Sequence, residues 1–158
     1  MKYGFLLTFS IFTLISNLSL AGQPKDEDEL LFLPKGTKLI VEKDLLFPSG
    51  VKRIFFQKGL ATIEAETIDG NARYCFMLLK MPSSKDRVLE KEMVVVTSGT
   101  YRASTNMVEL EVNQPSGIFD VGCANSPREI DRKPTIGQFK KELNGIFEVV
   151  MPGPDPIH

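Results

Sequence analysis

The chain has 158 residues, 42% hydrophobic and 25% charged, with 19 basic against 20 acidic side chains. This near-neutral balance lacks the broad basic footprint of a nucleic-acid binder. A single histidine and two cysteines leave little material for a His/Cys metal cage or a histidine-based catalytic site.

The N-terminus reads as a bacterial Sec-type signal peptide. Lys2 supplies the positive charge and residues 5–15 the apolar run. Ser19-Leu20-Ala21 then places small residues at the −3 and −1 pockets of a signal peptidase. Cleavage is expected between Ala21 and Gly22. A retained anchor is the competing reading, but the apolar run is short for a membrane span and is interrupted by Ser16, Asn17 and Ser19. No cysteine stands at the junction to take a lipid, and no later segment is long and apolar enough to cross a bilayer. Removing 21 of 158 residues leaves 137, with 18 basic (19 less Lys2) and 20 acidic side chains. That is enough for one domain with a core and short for two. The expected location is periplasmic or secreted.

Residues 22–29 are polar and acidic without periodicity, which predicts a flexible leader. A single β-rich domain is expected over residues 30–151. Short apolar runs alternate there with turn residues: Pro34-Lys35-Gly36 precedes a strand over 37–41, and Pro48-Ser49-Gly50 leads into another over 51–57. Residues 60–68 alternate, and Asp69-Gly70-Asn71 suits a tight turn, so a hairpin with a return strand through Tyr74, Cys75 and Phe76 is predicted. That return strand is apolar on both faces, which belongs in the centre of a sheet. Residues 81–91 read as a surface loop. Further strands are expected over 93–97, over 107–112 with Glu109 and Glu111 facing out, and over 119–123. In the last, Phe119, Val121 and Cys123 share a face with Asp120 opposite. The one convincing helix spans 136–144, with Thr135 as N-cap, Gln138 completing a capping box and Gly145 beyond the end. A strand over 146–151 follows, and Pro152, Pro154 and Pro156 make residues 152–158 an extended tail. The fold class is therefore mainly β, an antiparallel sandwich or small partly open barrel with one C-terminal α-helix.

Export also makes the cysteines legible. Cys75 and Cys123 form an even pair in an oxidising compartment, which predicts a disulfide stapling distant strands. Their spacing of 48 residues suits neither a CxxC redox motif nor a zinc knuckle.

No motif carries chemistry. Ser49-Gly50-Val51-Lys52 matches the Ser-x-x-Lys nucleophile pattern, but it straddles a turn and a strand start, where the side chains diverge. Glu64 with Glu66, and Glu109 with Glu111, read as the wet face of a half-solvated sheet rather than acid–base pairs. Asp26, Glu27, Asp28 and Glu29 lack the spacing of a calcium loop, and His158 has no orienting partner. Phe55, Phe56, Tyr74 and Phe76 suit core packing better than a ligand pocket. Tyr101 and Arg102, beside Ser98-Gly99-Thr100, are the best candidates for an exposed contact loop. No catalytic residue, cofactor or metal is expected.

Leu33-Pro34-Lys35-Gly36-Thr37, Phe56-Gln57-Lys58-Gly59 and Arg73-Tyr74-Cys75-Phe76-Met77-Leu78 together resemble small exported two-cysteine β proteins of proteobacteria that have no assigned activity. Phe119-Asp120-Val121-Gly122-Cys123 and the stretch from Thr135 to Phe147 match their closing plan of a late cysteine, a helix and a final strand. The resemblance implies export, the disulfide and the β plan, and it supplies no activity. The expected function is a non-enzymatic binding module of the periplasm or cell envelope, whose partner is an envelope protein of unknown identity. The alternatives are a lipocalin-like carrier of a small apolar ligand and an inhibitor of a lysozyme or protease. A carboxylate-dependent hydrolase would need two carboxyl groups converging in a cleft.

Overall fold

The computed structural model describes residues 23–113, 117–129 and 131–153. The signal segment with its Ala21–Gly22 junction, residues 114–116 and residues 154–158 of the expected tail lie outside the described residues.

Period-two alternation drives the architecture. Strands β1 (Lys38–Val41), β3 (Arg53–Gln57) and β8 (Met107–Asn113) each bury alternate side chains and leave the others toward water. With β4 (Leu60–Thr62), β5 (Tyr74–Leu79), β7 (Met93–Arg102), β9 (Ile118–Ala124) and β10 (Phe147–Val150) they form one eight-stranded antiparallel sheet. Its order is β10-β1-β7-β8-β9-β5-β3-β4. The sheet curls into an open half-barrel, the partly open form of the expected β fold. Two further strands, β2 (Leu45–Phe47) and β6 (Arg87–Leu89), pair with each other as a separate ribbon.

The inner face of the sheet is closed by that ribbon and by helix α1 (Ile136–Glu142). Leu45, Phe47 and Leu89 from the ribbon join Ile136, Phe139 and Leu143 in one core with Leu39, Ile54, Phe56, Met77, Leu110 and Val121. Phe56 and Phe147 meet edge to face at 5.9 Å. Cys75 and Cys123 are direct cross-strand partners on β5 and β9, wholly buried in this core and joined as a disulfide. The staple expected from the sequence is therefore present, and β5 lies inside the sheet between β9 and β3, as its two apolar faces require.

Several elements differ from the sequence reading. The predicted hairpin over 60–68 and 74–79 does not form. The real hairpin is β3–β4, turning through Lys58 and Gly59, both at positive φ as a two-residue hairpin loop demands. After Thr62 the chain leaves the sheet, and Ala65–Thr67 is a 3-10 turn, so Glu64 and Glu66 do not share a strand face. The expected surface loop over 81–91 contains β6. Strand β7 is five residues longer than predicted and carries Tyr101 and Arg102, which are thus in a strand and not in a loop.

The acidic leader is tethered. The carbonyls of Asp28 and Asp26 accept from the N–H groups of Ile136 and Gly137, at 3.0 and 2.8 Å, satisfying two of the donors that open α1. Lys140 reaches the Asp26 carboxylate at 2.7 Å and Lys133 reaches Glu29 at 2.8 Å. Gly137 permits this contact, since a Cβ there would stand 2.9 Å from the Asp26 carbonyl oxygen. Thr135 caps α1 as expected, accepting from the N–H of Gln138 at 3.2 Å. The Gln138 side chain does not complete the box, because its amide donates to the Ala124 carbonyl instead.

Candidate functional site

Strand register decides which side chains meet on the outward face of the sheet. Glu111 pairs with Asp120, Glu109 with Gly122 and Met107 with Ala124 across β8 and β9. Leu78, Phe76 and Tyr74 of β5 stand opposite Asp120, Gly122 and Ala124. Ser98, Thr100 and Arg102 of β7 oppose Glu111, Glu109 and Met107, after a register shift between Val96 and Ser98. A second shift between Leu78 and Leu79 gives β9 an extra residue, Phe119, just before Asp120. Side chains of one parity therefore build an outward patch that the core does not explain.

Half of that patch is apolar. Phe76 is fully buried although it faces outward, packed with Met107, Ala124, Phe55 and Tyr74. Its ring lies across Gly122, and the Arg53 guanidinium stands over it, 5.0 Å from the ring centre, and over Phe55 at 5.8 Å. Phe55 and Tyr74 meet edge to face at 5.9 Å.

The other half is a pocket of about 230 Å³ lined by Ser98, Thr100, Arg102, Glu109, Glu111 and Asp120. Arg102 makes an ion pair with Glu109, and the Ser98 hydroxyl donates to Glu111 Oε2 at 2.8 Å. Asp120 is only 7% exposed, and no donor among the described residues meets its carboxyl group. Burial, followed by the charges of Glu109 and Glu111, pushes that carboxyl up to about 6, against the weaker pull of Arg102 and Arg53. The sequence reading put Asp120 on the outward face correctly and missed its burial. The outward placement of Glu109 and Glu111 also holds.

A raised carboxyl has a definite consequence for stability. The folded protein holds the Asp120 proton between about pH 4 and pH 6, where the unfolded chain has released it. Stability therefore falls as pH rises through that window and levels off above it. A shift from 3.8 to about 6 corresponds to about 3 kcal/mol. Asp120→Asn is expected to be about 2 kcal/mol more stable than the native protein near neutral pH. That advantage should vanish near pH 4 in urea unfolding. An advantage that does not change with pH would contradict the assignment.

The proposed contact pair divides. Arg102 is exposed and belongs to the pocket, whereas Tyr101 points to the opposite face, packs on the core and donates to Asn106 Oδ1 at 3.1 Å. The Ser49 hydroxyl donates to the Ser84 carbonyl at 2.9 Å and so is held in a loop contact. A separate open groove of about 520 Å³ runs between β2 and β4, where Leu46 and Ile63 are 54% and 40% exposed. Near α1, Arg73 grips Glu129 through two bonds of 2.6 and 2.7 Å, which hold the Glu129 carboxyl below its usual range. Among the described residues, no three acidic, histidine or cysteine side chains converge on a metal position, and no helix is long and apolar enough to cross a membrane. No protein-family model, curated protein or solved structure matches the chain.

Proposed function

We propose that the protein is an exported, non-enzymatic binding module of the bacterial periplasm or cell envelope, which recognises a partner protein through the outward face of β7, β8, β9 and β5. The observation that carries this reading is the state of that face. Phe76 and Asp120 are buried there, on the side of the sheet turned away from the core, so the surface is preformed rather than merely solvated. The signal-like N-terminus, the disulfide and the resemblance to exported two-cysteine proteins support the compartment.

Inhibition of a lysozyme or protease is a narrower form of the same reading, since it too works by surface recognition. The carrier reading has less support. The concave side that would hold an apolar ligand is packed with Phe47, Phe56, Leu89 and Phe139. A hydrolase would draw on Glu111 and Asp120, but their pocket of about 230 Å³ is smaller than the roughly 300–1,000 Å³ of small-molecule sites.

The test is a crosslinked capture from the envelope fraction, with the oxidised chain from Gly22 to His158 as bait and mass spectrometry as readout. One dominant partner, displaced by excess free protein, is expected. Recovery of background proteins alone overturns the reading.

A further inference from the structure

We propose that the pocket over β7, β8 and β9 binds an organic cation, a primary ammonium or guanidinium group, with the Asp120 carboxylate as its anchor. This deepens the reading of the outward face as a binding surface and rests on it.

Asp120 is 7% exposed, lines the pocket, and takes no hydrogen bond from a donor among the described residues, so its carboxyl group is open to a ligand from the pocket side. Two of the pocket's donors are engaged elsewhere. Arg102, on β7, is held by Glu109, and the Ser98 hydroxyl by Glu111. Arg53, on β3, stands over the Phe76 and Phe55 rings. The flanking charges on β8, Glu109 and Glu111, are of the same sign as Asp120, and its β5 neighbour is Leu78. The pocket therefore carries three carboxyl groups against one cation that is already paired. An ionised Asp120 costs the fold stability in this setting, and sites that cost stability are where function is found.

The shape narrows the ligand. The acidic side chains do not converge on a point, which disfavours a bare metal ion. A volume of about 230 Å³ accepts a side-chain head group with several N–H donors. Such a group can bond Asp120 and Glu111 at once, while the Thr100 hydroxyl lines the same wall. The source is either a free polyamine or a lysine or arginine on a protein partner.

The test is calorimetric titration of the oxidised mature chain with spermidine, and separately with a short lysine-rich peptide and its fully acetylated form. Saturable binding of either cationic probe is expected near neutral pH, with none for the acetylated peptide. Asp120→Asn is expected to weaken binding about tenfold or more, and Glu111→Gln by a smaller factor. Binding by the native chain should also weaken as pH falls through about 6. Spermidine binding points to a polyamine, and binding of the peptide alone points to a protein side chain. Absence of saturable binding by both probes overturns the proposal, as does unchanged affinity in both variants, each confirmed folded by its urea transition. The two readings fail separately. Capture of the same envelope partner by Asp120→Asn would remove the cation site and keep the binding module. Probe binding without any captured partner would keep the site and remove protein recognition.

Discussion

Replacing Gly122 with alanine is expected to destabilise the protein by about 3 kcal/mol or more. A Cβ at this position would collide with the Val108 carbonyl oxygen and stand 2.8 Å from Phe76 Cζ and 3.1 Å from Glu109 Cα. Rotation of Phe76 could relieve one of these contacts. The other two are backbone of β8, so β8 and β9 would have to part in the middle of the sheet, beside the disulfide. The outward patch would be lost with them, because the Phe76 ring occupies the space that the missing side chain leaves. Gly70 is the control, since a Cβ there meets nothing within 4 Å. Urea unfolding of the two variants checks the contrast. A Gly122→Ala protein as stable as Gly70→Ala would show that the sheet is not packed as described.

The second large effect belongs to the disulfide. Cys75 and Cys123 close a separation of 48 residues, and loop-closure entropy gives such a bridge about 4 kcal/mol. A Cys75→Ser/Cys123→Ser protein is expected to lose about that much, with an added penalty for placing hydroxyl groups at two fully buried positions. A Cys75→Ala/Cys123→Ala protein separates the contributions, since it removes the bridge without the buried hydroxyls. Unfolding midpoints of the oxidised native chain equal to those of the alanine pair would refute the staple. Both cysteines are inaccessible in the folded state, so reductant should act on the native bridge only as fast as the protein opens.

Much of this architecture is written in local pattern. Alternation places β1, β3, β8 and β9, the two apolar faces of β5 put it inside the sheet, and Thr135 marks the start of α1. The failed hairpin shows where pattern stops. Residues 60–68 alternate well, but a strand also needs a partner edge, and both edges of β5 are taken by β9 and β3. The chain after Thr62 has no ladder to join and turns into a 3-10 segment. Strands β2 and β6 have three residues each, too few for a period to register. The leader is held by main-chain carbonyls against the first turn of α1, an interaction that composition does not encode. Gly137, in the first turn of a helix, is the one residue that could have signalled a close approach.

The site was half legible. Alternation assigns Asp120, Glu109 and Glu111 to the outward face, and a wet face is the ordinary consequence. The burial of Asp120 depends on register: the β8–β9 ladder sets Asp120 beside Glu111, the shift at Leu78/Leu79 follows its pairing with Leu78 on β5, and the shift at Val96/Ser98 sets Ser98 opposite Glu111 and Arg102 opposite Met107. Neither shift can be read from residue types alone. The sequence offers Tyr101 and Arg102 together as an exposed contact loop, but both lie in β7 and point to opposite sides of it, so only Arg102 reaches the pocket.

The measurement that tests this account most directly is a carbon-13 NMR titration of the Asp120 side-chain carboxyl in the oxidised mature protein, repeated with saturating spermidine. The account predicts a midpoint near 6 in the free protein, displaced downward when the cation binds. A midpoint in the ordinary carboxylate range near 4, unmoved by spermidine, would contradict it.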